Sequence, residues 1–124
     1  MRILCVDPVP SWLAGLRNHV ARLAPEAEIA CCRSSDEAIR AAKDGGCDVL
    51  LTEIDLESPR TDGFVLAQRI AEINPLVNII FVTEHMDNAN AKLALDLHAS
   101  GYVSKPFDRE GLAEQFKNLR HAAV

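Results

Sequence analysis

The chain has 124 residues, about the length of one domain, and its hydrophobic content of 48% is enough for a core between a sheet and two helical layers. Its 13 basic and 18 acidic residues give a formal charge of −5, which argues against direct binding to the phosphate backbone of a nucleic acid. No apolar run approaches the roughly 20 residues that span a bilayer, and Asp7 comes too early for a signal peptide, so we expect one cytoplasmic domain over residues 1–124 with no membrane contact.

The chain begins with a strand and a helix. The apolar run Ile3–Val6 predicts a strand that stops at Asp7–Pro8, because proline has no N–H to donate. Apolar residues then recur at helical spacing from Pro10 or Ser11 to Leu23, with Ser11 as the expected N-cap. The first strand therefore ends on a carboxylate.

The second strand and helix are shorter. Glu28–Cys32 predicts the strand, and the next helix is predicted to end at Gly45–Gly46. Ser34 and Glu37 have the spacing of a capping box, in which each side chain satisfies a free N–H group at the helix start.

The third strand carries a cluster of acids at its end. Asp48–Glu53 contains an apolar run typical of a strand buried on both faces. After a loop, Asp62 or Gly63 is predicted to start a helix that ends near Ile73. The strand thus delivers Glu53 to its carboxyl end, where open α/β sheets place their functional groups.

The rest of the chain repeats the alternation. Val77–Val82 predicts the fourth strand, closing on Thr83, and Asp87–His98 a helix of low hydrophobicity. Tyr102–Ser104 predicts a short fifth strand, and Asp108 caps a last helix through about residue 121. Five such alternations predict an α/β fold in which helices cover both faces of a parallel sheet.

Four polar side chains follow the predicted strands at one edge of the sheet: Asp7, Glu53, Thr83 and Lys105. In a doubly wound, flavodoxin-like sheet of order 2-1-3-4-5, the first and third strands are neighbours where the winding reverses. We therefore expect Asp7 and Glu53 to lie side by side there.

This pattern resembles the receiver domains of bacterial two-component response regulators, over essentially the whole chain. The opening strand through Asp7, residues 48–56, Asp62–Gly63, Val82–Thr83 and Lys105–Phe107 match the signatures of that family. The resemblance implies transfer of a phosphoryl group from a histidine kinase to an aspartate that holds a magnesium ion with acidic residues of the first strand. It also implies protein partners, a kinase or an output domain, and a homodimer through the fourth helix, fifth strand and fifth helix.

The same resemblance assigns roles to individual side chains. Thr83 and Lys105 would bind phosphoryl oxygens, and Tyr102 would be the aromatic switch residue. Glu53 occupies the position of the phosphoacceptor aspartate.

Several positions depart from the family pattern. Glu53 replaces aspartate, and Pro8 replaces one acid of the first strand. Extra residues within 57–61 lengthen the loop, and Glu84 follows Thr83, where the family usually has a small residue. Because Mg²⁺ needs near-octahedral oxygen geometry, we predict no metal site beyond weak binding at Asp7 and Glu53.

We interpret the cluster as a phosphorylation-independent signalling module, not an enzyme. Its acidic pocket would comprise Asp7, Glu53 and Asp55, and a Glu53–Lys105 ion pair would mimic part of the effect of a phosphoryl group.

Other interpretations stay open. The cluster could be a structural ion pair, or Asp55 could accept a phosphoryl group in an orthodox Mg²⁺-dependent receiver of a DNA-binding regulator. Glu53-Ile54-Asp55 is also similar to the Asp-x-Asp of haloacid-dehalogenase-type phosphatases. A flavodoxin-like nucleotide-binding function has less support, because no predicted strand end carries a Gly-rich turn that could bind a phosphate.

Three further residue types carry weaker expectations. The four cysteines, at positions 5, 31, 32 and 47, lack metal or redox spacing and are predicted to be buried free thiols. Trp12 is predicted to pack near the mouth of the crevice, and His85 to be a solvated loop residue.

Overall fold

The computed structural model describes residues 1–56 and 62–121. Five parallel strands form one sheet of order β2-β1-β3-β4-β5, as predicted. In chain order the elements are β1 Arg2–Val6, α1 Pro10–Leu23, β2 Glu28–Cys32, α2 Ser35–Gly45, β3 Val49–Thr52, α3 Gly63–Ile73, β4 Asn78–Thr83, α4 Asn88–Asp96, β5 Gly101–Ser104 and α5 Arg109–Lys117. The predicted lengthening of the loop after β3, within residues 57–61, lies outside the described part.

Helix starts differ from the prediction at α1. The N-cap is Val9, with Pro10 in the first turn, and no side chain caps it, so Ser11 is already helical and its predicted capping role is wrong. At α2 the Ser34 hydroxyl accepts from the N–H of Glu37 at 3.2 Å, as the capping box requires. The Glu37 carboxylate, however, accepts from the N–H of Arg33 at 2.9 Å and not from that of Ser34.

Two helices end earlier than predicted. α4 stops at Asp96, and His98 has a positive φ of 57°, a left-handed conformation that cannot continue a helix. α5 stops at Lys117, and the backbone of His121 instead pairs with the side chain of Asn78, which accepts from its N–H at 2.8 Å and donates to its carbonyl at 2.9 Å. A buried side chain on the sheet thus replaces the last helical turn.

The core lies on both faces of the sheet. One cluster packs α2 and α3 against one face, around Leu50 and Phe81, and the other packs α1 and α5 against the opposite face, around Leu51 and Ile80. All residues of β3 and β4 are buried. A sheet covered on both faces holds its strand ends in a fixed arrangement, which is what a site at one edge requires.

The sheet register aligns those ends. Val6 pairs with Thr52 across β1 and β3, and Thr83 pairs with Ser104 across β4 and β5. The residues that immediately follow β1, β3 and β5 therefore emerge together.

The helices of the described residues are too short or too polar to cross a bilayer.

Candidate functional site

The carboxyl edge of the sheet brings Asp7, Glu53 and Lys105 together. Each follows the last residue of its strand, and the backbone keeps it in line with the neighbouring strand. Glu53 N–H donates to the Val6 carbonyl at 3.0 Å, and Lys105 N–H donates to the Thr83 carbonyl at 3.0 Å. β3 ends at Thr52, so Glu53 stands one residue beyond the strand predicted to include it.

Lys105 bridges both acids. Its Nζ lies 2.7 Å from Asp7 Oδ2 and 2.8 Å from Glu53 Oε1, and only 3% of the lysine side chain is exposed. The expected Glu53–Lys105 ion pair is therefore present, and the same ammonium also holds Asp7. Two carboxylates and one ammonium leave a net charge of about −1 in a buried site.

The remaining carboxylate oxygens are also hydrogen-bonded. Asp7 Oδ1 accepts from the N–H of Val9 at 2.9 Å. Glu53 Oε2 accepts from the N–H groups of Ile54 and Asp55, at 2.5 Å and 3.2 Å. Buried carboxylates need such partners, and here the protein supplies all of them.

The charges of the pair stabilise one another. Burial alone would raise the pKa of Glu53, but hydrogen bonds from Lys105 and Thr83 and the positive charge of Lys105 outweigh it, so the pKa lies below its ordinary value. Burial would likewise lower the pKa of Lys105, and its bonds to Asp7 and Glu53 raise it instead. Both groups are charged at neutral pH.

Trp12 covers the ammonium. Lys105 Nζ lies 5.0 Å from the centroid of the Trp12 ring, within the range of a cation–π contact. The same ring packs against Phe107, with the centroids 5.7 Å apart. Trp12 was predicted to pack near the mouth of the crevice. The position of Trp12 in the sequence of α1 does not indicate its contact with Lys105.

Thr83 and Tyr102 are placed differently from each other. Thr83 is fully buried at the end of β4, and its hydroxyl accepts from the N–H of His85 at 3.1 Å. Tyr102 lies on the edge strand β5 with 48% of its surface exposed. Thr83 also lies close enough to Glu53 to lower the pKa of that carboxylate, whereas Tyr102 is half exposed at the edge of the sheet.

The Asp55 carboxylate lies outside the cluster. Its side chain is 66% exposed and its Oδ2 is 3.7 Å from Nε2 of His85, which is itself 65% exposed. Only the N–H of Asp55 takes part, by donating to Glu53. The structure therefore brings together two of the three residues predicted for the acidic pocket.

The start of α3 closes tightly on Glu53. Asp62 caps the helix by accepting from the N–H of Val65 at 2.9 Å, and Gly63 N–H donates to the Ile54 carbonyl at 2.7 Å. A Cβ at position 63 would lie 2.2 Å from the Glu53 carbonyl oxygen. Only glycine permits this approach, which explains the Asp-Gly pair in the sequence.

The magnesium ion implied by the resemblance fits this donor set poorly. In the part of the chain that the structure describes, no three His, Cys, Asp or Glu side chains converge in a metal-binding group. Pro8 offers no side-chain oxygen, and the oxygens of Asp7 and Glu53 are held by Lys105 and backbone N–H groups. Mg²⁺ would have to displace these bonds, so the residues present do not fit the ion.

Comparison with known proteins gives related chains of greater length. Transcriptional regulatory protein NatR of Bacillus subtilis (strain 168) is 33% identical over 116 residues, which cover 94% of this chain and 48% of NatR. Protein-glutamate methylesterase/protein-glutamine glutaminase 3 of Geobacter sulfurreducens is 33% identical over 97 residues, covering 77% of this chain and 25% of that protein. The chain thus spans about half the length of NatR and a quarter of the methylesterase.

Solved structures and a family model agree with the fold. The response regulator receiver domain protein from Clostridium thermocellum superposes with a TM-score of 0.81 at 26% identity, covering 94% of this chain and 91% of that one. The model of the response regulator receiver domain matches residues 3–117, from β1 to the end of α5. The chain therefore belongs to the response regulator receiver domain family of two-component systems.

Proposed function

We propose that this receiver domain signals without being phosphorylated, with Glu53 in the place of the phosphoacceptor aspartate. The observation that supports the proposal is the double contact of Lys105 Nζ, 2.7 Å from Asp7 and 2.8 Å from Glu53. The ammonium and backbone donors that would receive a phosphoryl group are already bonded to a carboxylate of the chain itself.

Glu53 imitates a phosphoryl group only in part. A phosphoryl group carries about −1.5 to −2 charge and three acceptor oxygens, whereas Glu53 carries one charge and two oxygens. It does share the main consequence, a tether between the ends of β3 and β5. We propose that this tether holds the domain in one signalling state.

The output of the domain is then a protein contact and not catalysis. Receiver domains interact with histidine kinases and with output domains, and NatR is by its name a transcriptional regulator. Leu95 and Tyr102 are exposed by 74% and 48% on α4 and β5. These apolar side chains support a homodimer through α4, β5 and α5, and the charge of −5 supports the absence of direct nucleic acid binding.

The alternatives have less support from the geometry. For phosphorylation of Asp55, its carboxylate would have to leave His85 and solvent and approach Lys105. For a phosphatase, Asp55 would have to act as an acid beside a Glu53 nucleophile whose oxygens are fully bonded.

Self-association tests the proposed tether. Glu53→Gln removes the charge that faces Lys105 and keeps the side-chain size, and Asp55→Asn is a matched control that removes an exposed charge two residues away. In sedimentation velocity over a concentration series, we expect the dimer dissociation constant of Glu53→Gln to change by about 5-fold or more, and that of Asp55→Asn to match the wild type. Identical curves for all three proteins would contradict the proposal and leave the cluster structural.

A further inference from the structure

The sheet places two cysteines side by side, one on the edge strand β2 and one on the neighbouring strand β1. Cys5 of β1 and Cys31 of β2 are register partners in the parallel pair. Register partners on neighbouring strands project to the same face, and neighbouring strands lie about 4.7–4.9 Å apart. That separation falls within the Cα–Cα range of about 4.4–6.8 Å that disulfides usually span.

The two thiols differ in accessibility. Cys5 is fully buried beneath α1, whereas Cys31 lies exposed on the edge strand, which corrects the prediction that all four cysteines are buried. Redox-sensing cysteines are solvent-accessible and often lie next to a second cysteine that resolves them, and Cys31 beside Cys5 has this arrangement.

The neighbours of Cys31 favour its thiolate. A hydrogen bond from Cys5 lowers the pKa of Cys31, burial partly opposes this effect, and the charge of Arg17 adds to it, so the pKa falls to about 7. The thiolate is the nucleophilic form of cysteine, and a nearby cation and partial exposure mark reactive thiols.

The other two cysteines lack these features. Cys32 is buried on the opposite face of the sheet, because successive strand residues point to opposite faces, and burial raises its pKa to about 11. Burial likewise raises the pKa of Cys47 to about 12. The sequence neighbours Cys31 and Cys32 are therefore a poorer pair than Cys5 and Cys31.

We propose that Cys31 is a site of oxidation by hydroperoxides and that Cys5 resolves it into a disulfide between β1 and β2. The Cys31 thiolate attacks one peroxide oxygen, the O–O bond breaks, and the released hydroxide takes a proton to become water. The Cys5 sulfur then attacks the sulfenic sulfur of Cys31, the S–O bond breaks, and hydroxide leaves with the Cys5 proton as a second water. Two thiols thus lose two electrons to one hydrogen peroxide.

The bond would tie the edge strand to the strand that leads into the pocket. Asp7 follows Cys5 by two residues, and its N–H donates to the Cys32 carbonyl at 3.1 Å. The oxidised link and the Lys105 cluster thus share the end of β1.

Peptide mapping tests the site. The folded protein is treated with hydrogen peroxide, free thiols are alkylated in denaturant, and a non-reducing digest is analysed by mass spectrometry. We expect an intact-mass loss of about 2 Da for one disulfide and a cross-linked peptide pair containing Cys5 and Cys31. Cys32→Ala should behave as the wild type, and Cys31→Ser should form no cross-link.

Trapping the intermediate separates the two steps. Cys5→Ser keeps a hydrogen-bond donor beside Cys31 but cannot form a disulfide, so it should stop at the sulfenic acid of Cys31 and accumulate its dimedone adduct, which the wild type should form only transiently. On the wild type alone, the pH dependence of Cys31 alkylation should have a midpoint near the pKa of about 7. A Cys31–Cys32 link, or Cys31 alkylation with the pH dependence of an ordinary thiol, would overturn the proposal.

Discussion

The Oε1 atom of Glu53 and the Nζ atom of Lys105 lie 2.8 Å apart, and the pair spans β4 to join the ends of β3 and β5. Because the same ammonium binds Asp7 at 2.7 Å, one cation connects the ends of three strands. These ion pairs therefore link β1, β3 and β5 at the carboxyl edge of the sheet.

Removing the cation should be costly. Lys105→Met keeps most of the side-chain volume but leaves Asp7 and Glu53 buried without their counter-charge. We expect a loss of about 3 kcal/mol or more in the free energy of unfolding at neutral pH, measured by urea denaturation. Lys92→Met, at an exposed position on α4, is the matched control and should change it by less than about 0.5 kcal/mol. Equal stabilities of the two variants would show that the bridge contributes little.

Stability should depend on pH through the same pair. Glu53 has a lowered pKa in the folded protein, so its contribution is complete above the ordinary value of 4.5 and is lost as the pH falls through the lowered value. Lys105 has a raised pKa, so its contribution is complete below 10.5 and is lost as the pH rises through the raised value. The free energy of unfolding, measured by urea denaturation, should therefore be constant between these pH values and fall at lower and at higher pH.

A variant at position 53 shows whether Glu53 causes the loss of stability at low pH. Glu53→Gln cannot titrate at position 53, so its stability should fall less steeply than that of the wild type as the pH drops below 4.5. An unchanged acid slope in this variant would place the titration elsewhere in the chain.

Trp12 should stabilise the ion pairs of Lys105 with Asp7 and Glu53. We expect Trp12→Leu to cost about 1–2 kcal/mol, because it removes both the cation–π contact with Lys105 and the packing against Phe107. Trp12→Phe keeps a ring and should cost less. Because Trp12 is the only tryptophan, its fluorescence should also shift in Lys105→Met and stay constant in Lys92→Met. Equal unfolding free energies of the Leu and Phe variants would argue against a contribution of the ring.

Two glycines in helices should respond oppositely to alanine. At Gly63 the new Cβ would lie 2.2 Å from the Glu53 carbonyl oxygen, so Gly63→Ala should push α3 away and destabilise the protein by about 1–3 kcal/mol. At Gly15 the nearest atom would be Phe107 Cζ at 3.9 Å, an ordinary contact. Gly15→Ala should therefore stabilise the protein, by about 0.5–1 kcal/mol. Thermal unfolding of both variants tests these predictions: the melting temperature should fall for Gly63→Ala and rise for Gly15→Ala.

The strand ends were predictable because the apolar runs before Asp7 and Thr83 break sharply into polar residues. The parallel sheet then follows from alternation, and its order brings the first and third strands together. A hydrophobic pattern does not show which oxygen accepts from which donor. The bond from Lys105 to Asp7 and the outward position of Asp55 are therefore seen only in the folded structure.

Other differences have local causes. The sequence favours Ser11 as a cap, but Pro10 already fits the first turn of α1 and moves the cap to Val9. The end of α5 depends on Asn78, which is 43 residues away from His121. The exposure of Cys31 follows from β2 being the edge strand, which the predicted strand order already implied. The prediction of burial relied instead on the general behaviour of free cysteines as small apolar residues.

Intact mass after phosphodonor treatment tests the central claim most directly. The wild-type domain is incubated with Mg²⁺ and acetyl phosphate, beside an orthodox receiver domain as a positive control. We predict an unchanged mass for the wild type, while the control gains the roughly 80 Da of a phosphoryl group. A gain of one phosphoryl group by the wild type, abolished in Glu53→Gln or Asp55→Asn, would contradict the account.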